Sequence, residues 1–286
     1  MISLATGALL DLAMGPYSGK GTGEHGLLRQ LMRAFEPGDI VLGDCYYASF
    51  FLIAQLIKLG VDIVFPIHSA RHCYFSHGKR LGKQDHLVEW KKPRKPKWMD
   101  EDTYQTFPDS ITVRETVIRN NVPGFRSKSK IIVTTFLNPS DMSHDDLAAL
   151  YDCRWFVEIS FLAIKHTMRM DILRCKTPEM VRKEIWAHLL AYNLVRKIMS
   201  QAAIHYNKNP RRLSFKLALQ TIFSYLQSGI LYKKYDAIYD KMLKTIAYKE
   251  VGNRPGRSEP RKVKRRPKAF PRLQKARQHY NQNKVA

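Results

Sequence analysis

Long apolar runs are missing from this 286-residue chain; none reaches the roughly 18 residues that a membrane helix needs. Cysteine is scarce. Cys45, Cys73, Cys153 and Cys175 lie far apart with no Cys-x-x-Cys, which excludes a disulfide scaffold and a zinc ribbon and fits a reducing cytosol. Met1–Thr6 holds no Lys or Arg, so no secretory leader is expected. Acidic residues are few, 25 against 48 Lys and Arg, for a net charge of +23. Such an imbalance says little about fold and predicts affinity for polyanions, nucleic acid first among them. What is present is enough apolar material for a core, 44% of residues, which excludes global disorder.

The charge is segregated. Residues 1–66 hold 4 basic and 6 acidic residues, whereas 249–286 hold 13 and 2. That distribution suggests a binding surface over a less charged core, with a basic tail that is disordered when free. Ile2–Met14 reads as two short strands around Thr6-Gly7. Glu24–Phe35 has helical spacing and is stopped by Pro37-Gly38. Asp39–Gly43 reads as a strand, Tyr47–Leu59 as a helix closed by Gly60, and Val61–Phe65 as a second strand. Together they predict a βαβ unit with parallel strands. Residues 67–135 read as a β-rich insertion, with strand-like runs at Thr112–Arg119 and Lys130–Leu137. From Ser143 the chain turns helical. Ser143-x-x-Asp146 and Thr177-Pro178-Glu179 open helices, and Leu213–Gln227 and Tyr232–Tyr248 follow.

Two carboxylates stand out. Trp155–Ile164 is apolar at eight of ten positions, so the helix running from Ser143 is expected to be buried there. Tyr151, Arg154, Glu158 and Lys165 interrupt it, within an arc of about 60° on a regular α-helix. A buried carboxylate with Arg one turn away needs a partner or a task. It reads equally as an i,i+4 ion pair. Asp44 stands at the C-terminal end of a strand, where sites form in parallel sheets, and reads also as a helix N-cap. The two together would hold a hard divalent cation through oxygen.

Tyr151-x-x-Arg154-x-x-x-Glu158-x-x-x-x-x-x-Lys165 resembles the Y-R-E-K signature of insertion-sequence-4-type DDE transposases. Leu189–Leu194 and the basic run Arg261–Arg277 look like the segments that follow it. The resemblance implies an α/β fold with an RNase-H-like core. The core would comprise 1–66 and 136–248, with the β-rich insertion at 67–135, a helical C-terminal part and the tail at 249–286. It implies cut-and-paste DNA transposition with Mg²⁺, for which Mn²⁺ substitutes. Asp44 and Glu158 correspond to the second and third catalytic, metal-holding carboxylates. Tyr151, Arg154 and Lys165 correspond to residues that grip DNA phosphates, with Arg265 and Arg266 adding tail contacts. Trp155, Trp90 or Trp98 would stack on an unpaired base, although the core reading is favoured for Trp155. The implied partners are double-stranded DNA, at element ends and target, and a second copy of the chain, at the bacterial nucleoid. The first catalytic Asp of the family lies on a strand with no counterpart between Ile2 and Asp44. Asp11 reads as a solvated strand-end residue. The expectation is a truncated copy with an impaired two-metal site, or a noncatalytic DNA-binding remnant that interferes with intact transposase.

Two other patterns carry less. Gly15–Thr22 looks like a P-loop but has three residues between its first two glycines and Gly21 where Ser or Thr is required. His68, His72, Cys73 and His77 cluster at a spacing that matches no standard metal site, and chance grouping is the preferred reading.

Overall fold

The computed structural model describes residues 1–16, 23–68, 70–119, 129–232 and 235–252; for 228–232 and 235–237 it describes the backbone alone. The glycine-rich loop at 17–22 and the basic tail from 253, including Arg265 and Arg266, lie outside the described residues.

The chain enters through a turn rather than two strands. Gly7, at φ +78°, lets Gly7 N–H reach the Ser3 carbonyl at 2.8 Å, and a lone antiparallel bridge joins Ile2 to Leu9. The run after the turn is too short to build a ladder and docks instead on a helix. Asn193 exchanges two 2.8 Å bonds with the Leu9 backbone, and Tyr192 donates to the Gly7 carbonyl at 2.6 Å. Asp11 is not solvated: its carboxylate is 16% exposed and lies 3.7 Å from Arg33.

Helix α1 (Glu24–Gln30) and a 3₁₀ turn at Met32–Ala34 lead to β1 (Ile40–Leu42). Helix α2 (Phe50–Lys58) then crosses to β2 (Asp62–Pro66), which pairs parallel with β1 as the sequence predicts. Gly60, at φ +70°, turns the chain between them. Strands β3 (Lys79–Gly82), β4 (Asp85–Lys91), β5 (Ser110–Arg119) and β6 (Ser129–Thr134) are antiparallel neighbours, and the short helix α3 (Glu101–Gln105) lies between β4 and β5. Strand β6 pairs antiparallel with β2, so these strands extend one six-stranded sheet in the order β1-β2-β6-β5-β4-β3.

Alternation along the strands gives the sheet two distinct faces. One packs Ile63, Phe65, Val113, Val133 and Trp90 against Leu52, Ile53 and Leu56 of α2. The other packs Val64, Ile118 and Ile132 against Leu147 and Tyr151 of α4 (His144–Asp152). Each face also buries charge. On the α4 side, Arg114 donates two 2.8 Å bonds to Asp85, whose carboxylate lies 2.9 Å from His144 Nε2. On the α2 side, His86 and Glu115 pair across β4 and β5, and Trp90 donates to Glu115 at 2.8 Å.

The capping box of α4 is present, with Ser143 and Asp146 bonding reciprocally. Helix α5 (Trp155–Leu162) and a π turn at Ala163–Thr167 follow. Helices α6 (Pro178–His205), α7 (Phe215–Tyr232) and α8 (Tyr235–Tyr248) bury a second core around Tyr192, Met199, Ala218 and Ile246. Thr177 caps α6, with Pro178 in the first turn. Among the described residues no helix is long and apolar enough to cross a membrane.

Candidate active site

Asp44 follows β1 after one residue, Gly43. Gly43 lets the strand end pass the Phe65 ring, since a Cβ there would lie 2.9 Å from it. Asp44 then caps a 3₁₀ turn at Cys45–Tyr47 and accepts from Tyr46 N–H at 2.8 Å. The N-cap reading is therefore realised, and the carboxylate remains exposed at the C-terminal end of a parallel strand.

Tyr151, Arg154, Glu158 and Lys165 do not share one regular helix. Helix α4 ends at Asp152. The amides of Cys153, Arg154, Phe156 and Val157 all bond to carbonyls three residues back, which tightens the chain before α5 proceeds. The π turn, which carries Lys165, then widens it. These two changes of pitch invalidate a 100° ruler drawn across 151–165.

Tyr151 is 5% exposed at the foot of the α4 core, with Lys130 Nζ 4.8 Å from its ring centre. Burial pushes its hydroxyl above the ordinary tyrosine value. The charge and hydrogen bond of Arg154 act against this, while Asp44 and Cys45 add to it. The Arg154 guanidinium carbon lies 6.0 Å from the centre of the Tyr151 ring. Arg154 lies 3.4 Å from Glu158, which is 47% exposed, so the expected ion pair forms. Lys165 is exposed, its ammonium 5.7 Å from the centre of the Phe161 ring.

Two expectations about apolar residues need correction. Helix α5 is not buried all round. Only the side carrying Phe156 and Ser160 is tied inward, where Arg211 bonds to the Phe156 carbonyl and the Ser160 hydroxyl. Trp155 is 58% exposed, and Ile159, Phe161 and Leu162 also face solvent. Trp155 is thus not a core residue. Trp90 is: it is 2% exposed, bonded to Glu115 and covered by Arg71, so it offers no face to a base. Trp98 is exposed, with the Arg29 guanidinium 4.1 Å over its ring.

Sequence reasoning missed a cleft of about 400 Å³ beside the Asp44 turn. His25, Arg29, Tyr46, Phe51 and Trp98 are among its lining residues. The available signal was the Tyr46-Tyr47 pair two residues after Asp44. Aromatic rings beside a cationic group form the kind of surface that takes single-stranded bases.

Comparison with known proteins identifies the family. The family model for the transposase DDE domain matches residues 2–194. Transposase InsG for insertion sequence element IS4 of Escherichia coli (strain K12) is 27% identical over 255 residues, 87% of this chain and 55% of InsG. Putative transposase InsL for insertion sequence element IS186A, from the same strain, is 33% identical over 69 residues, 24% of this chain and 19% of InsL. The transposase for insertion sequence element IS421 of Escherichia coli matches to the same extent. The chain thus spans about half the length of the IS4 relative. With the DDE model covering both Asp44 and Glu158, and the Y-R-E-K spacing intact, the chain belongs to the DDE transposase family, of the insertion-sequence-4 type.

Proposed function

We propose that this chain works on DNA in transposition, with Asp44 and Glu158 as catalytic carboxylates that hold Mg²⁺. The observation that carries the reading is the exposed Asp44 at the C-terminal end of β1, together with the exposed Glu158 paired with Arg154, whose guanidinium lies 6.0 Å from the Tyr151 ring centre. Both donors are carboxylate oxygens open to solvent, the donor chemistry of a hard cation. When bound, Mg²⁺ supplies Lewis acidity at the phosphodiester and a more acidic attacking water or 3′-hydroxyl. Arg154 and Lys165 neutralise phosphates beside the reacting bond, and Arg154 orients them through its planar fork. Tyr151 offers its hydroxyl as a donor from a buried, rigid ring. Exposed Trp155 stacks on an unpaired base, and the tail Arg265 and Arg266 strengthen binding without reading sequence. The partners are double-stranded element ends and target DNA, engaged by two copies of the chain at the nucleoid.

Asp44 and Glu158 are two of the three carboxylates implied by the family resemblance. The expected result for purified 1–286 is DNA binding that survives EDTA and falls steeply with salt, with Mg²⁺-dependent strand cleavage weak or absent. Vigorous cleavage of the element's own ends, lost in Asp44→Asn and Glu158→Gln, would uphold the carboxylate roles and overturn the impairment. Failure to bind any duplex at low salt would overturn the function. A chain that binds ends and blocks cleavage by an intact relative is the noncatalytic form of this reading.

A further inference from the structure

A second group of ligand-type side chains lies on the α2 face of the sheet, and the transposition chemistry does not use it. Cys73, in the segment between β2 and β3, meets His86 of β4 and Glu115 of β5, with one donor atom from each mutually within 4.8 Å. His86 and Glu115 are 1% and 3% exposed, whereas Cys73 is half-buried and keeps a route to solvent.

The ring of His86 is fixed. Its Nδ1 lies 2.6 Å from the His77 carbonyl, an oxygen that only accepts, so Nδ1 carries hydrogen. The Nε2 of a neutral ring is then a bare lone pair. It faces the Glu115 Oε2 at 3.1 Å and the Cys73 Sγ at 3.7 Å. A lone pair and a carboxylate oxygen this close need a cation between them, either a proton or a metal ion. The sulfur decides which cation the group suits. Tetrahedral zinc with its ordinary bond lengths separates N from O by about 3.3 Å and N from S by about 3.6 Å. The observed separations are close to both. The outer contacts follow the pattern of metal centres too: the far nitrogen of the His donates to a backbone carbonyl, and Trp90 holds Glu115 Oε1 at 2.8 Å.

We propose that Cys73, His86 and Glu115 form a binding site for a borderline-soft divalent cation of the Zn²⁺ class, with water completing the shell. Binding releases the thiol proton of Cys73 to solvent, and sulfur, Nε2 and a Glu115 oxygen donate to the ion. The charges of thiolate and carboxylate cancel that of the metal, leaving Arg71, stacked 3.6 Å over Trp90, as the neighbouring cation. The site would pin the segment around Cys73 to the middle of the sheet. It is separate in donor chemistry from Asp44 and Glu158, which offer oxygen alone.

The test is Co²⁺ titration of the chelator-stripped full chain, read by absorption. The expected result is one ion per chain, with a thiolate-to-cobalt charge-transfer band and intense ligand-field bands, all displaced by Zn²⁺ but not by Mg²⁺. Cys73→Ser, at a half-exposed position, removes the charge-transfer band while circular dichroism stays unchanged. Trp90→Phe keeps the band and weakens binding roughly tenfold. Asp44→Asn with Glu158→Gln leaves the titration as it was. Absence of the thiolate band in the wild-type chain, or its persistence in Cys73→Ser, overturns the proposal.

Discussion

Arg114 with Asp85 forms one arginine–carboxylate pair in this protein, and Arg154 with Glu158 forms another. The first is buried in the sheet, its side chains 0% and 4% exposed and joined by two 2.8 Å bonds. The second sits at a helix junction, 28% and 47% exposed, at a single contact of 3.4 Å. In the first, both partners are held by further bonds: Arg114 also donates to the Met142 carbonyl and His144 reaches Asp85. The second leaves donor and acceptor capacity facing water. A charge saturated by its neighbours organises the fold and has nothing left for a ligand. A charge loosely paired at the surface contributes little to stability and can be recruited by phosphate or metal.

Breaking the buried pair is the largest expected perturbation. Arg114→Met strands Asp85 without its counter-charge, and urea unfolding should show a loss of about 3–5 kcal/mol. The acid limb of stability sharpens the same contrast. Burial alone would push the Asp85 carboxyl up, but the bonds from Arg114 and His144 outweigh it and hold the group below the ordinary carboxylate value. A carboxyl depressed in the folded state gives stability that is complete above its unfolded value, about 4, and lost as pH falls through the folded value. Thermal midpoints measured downward from pH 5 should therefore drop, and Asp85→Asn should flatten that drop although its midpoint at pH 7 is lower. Ser143→Ala removes the cap of α4, which carries Tyr151 toward the site, and should cost about 1 kcal/mol in the same unfolding assay. The smallest stability effect belongs to the surface pair. Glu158→Gln should lie within about 0.5 kcal/mol of wild type. Any Mg²⁺-dependent cleavage by 1–286 should disappear in the same variant, and Arg154→Ala should lower DNA affinity at moderate salt.

Local signals explain what the sequence revealed. The parallel β1–β2 unit was legible because each strand is a short apolar run and Gly60 marks the turn. Ser143-x-x-Asp146 and Thr177-Pro178 marked the starts of α4 and α6 because capping depends on residues within one turn. Glu158 was marked by the Y-R-E-K spacing and Asp44 by its place at the end of a short apolar strand. The break between α4 and α5 was hidden, since nothing at Cys153-Arg154 is a breaker and the tightening is set by tertiary packing. The exposure of Trp155 was misread for a related reason: an apolar face indicates a preference for burial, not the surface that satisfies it. Glu115 and His86 escaped notice because they are 29 residues apart and meet only through the β4–β5 register. The charged Arg114-Glu115 step between Val113 and Val117 was the available hint.

The pairing of β2 with β6 has a consequence for how the chain acquires its shape. Pro66 finds its partner Ile132 only after the whole β3–β6 meander has been synthesised, whereas each step within β3–β6 joins strands adjacent in sequence. Closing the long loop is entropically expensive until the meander shortens it. Folding should therefore proceed with the meander first and its docking onto β1–β2 later. Pulsed hydrogen exchange during refolding should protect the amides of β4 and β5 before those of β1. Protection of β1 before β5 would reverse that order.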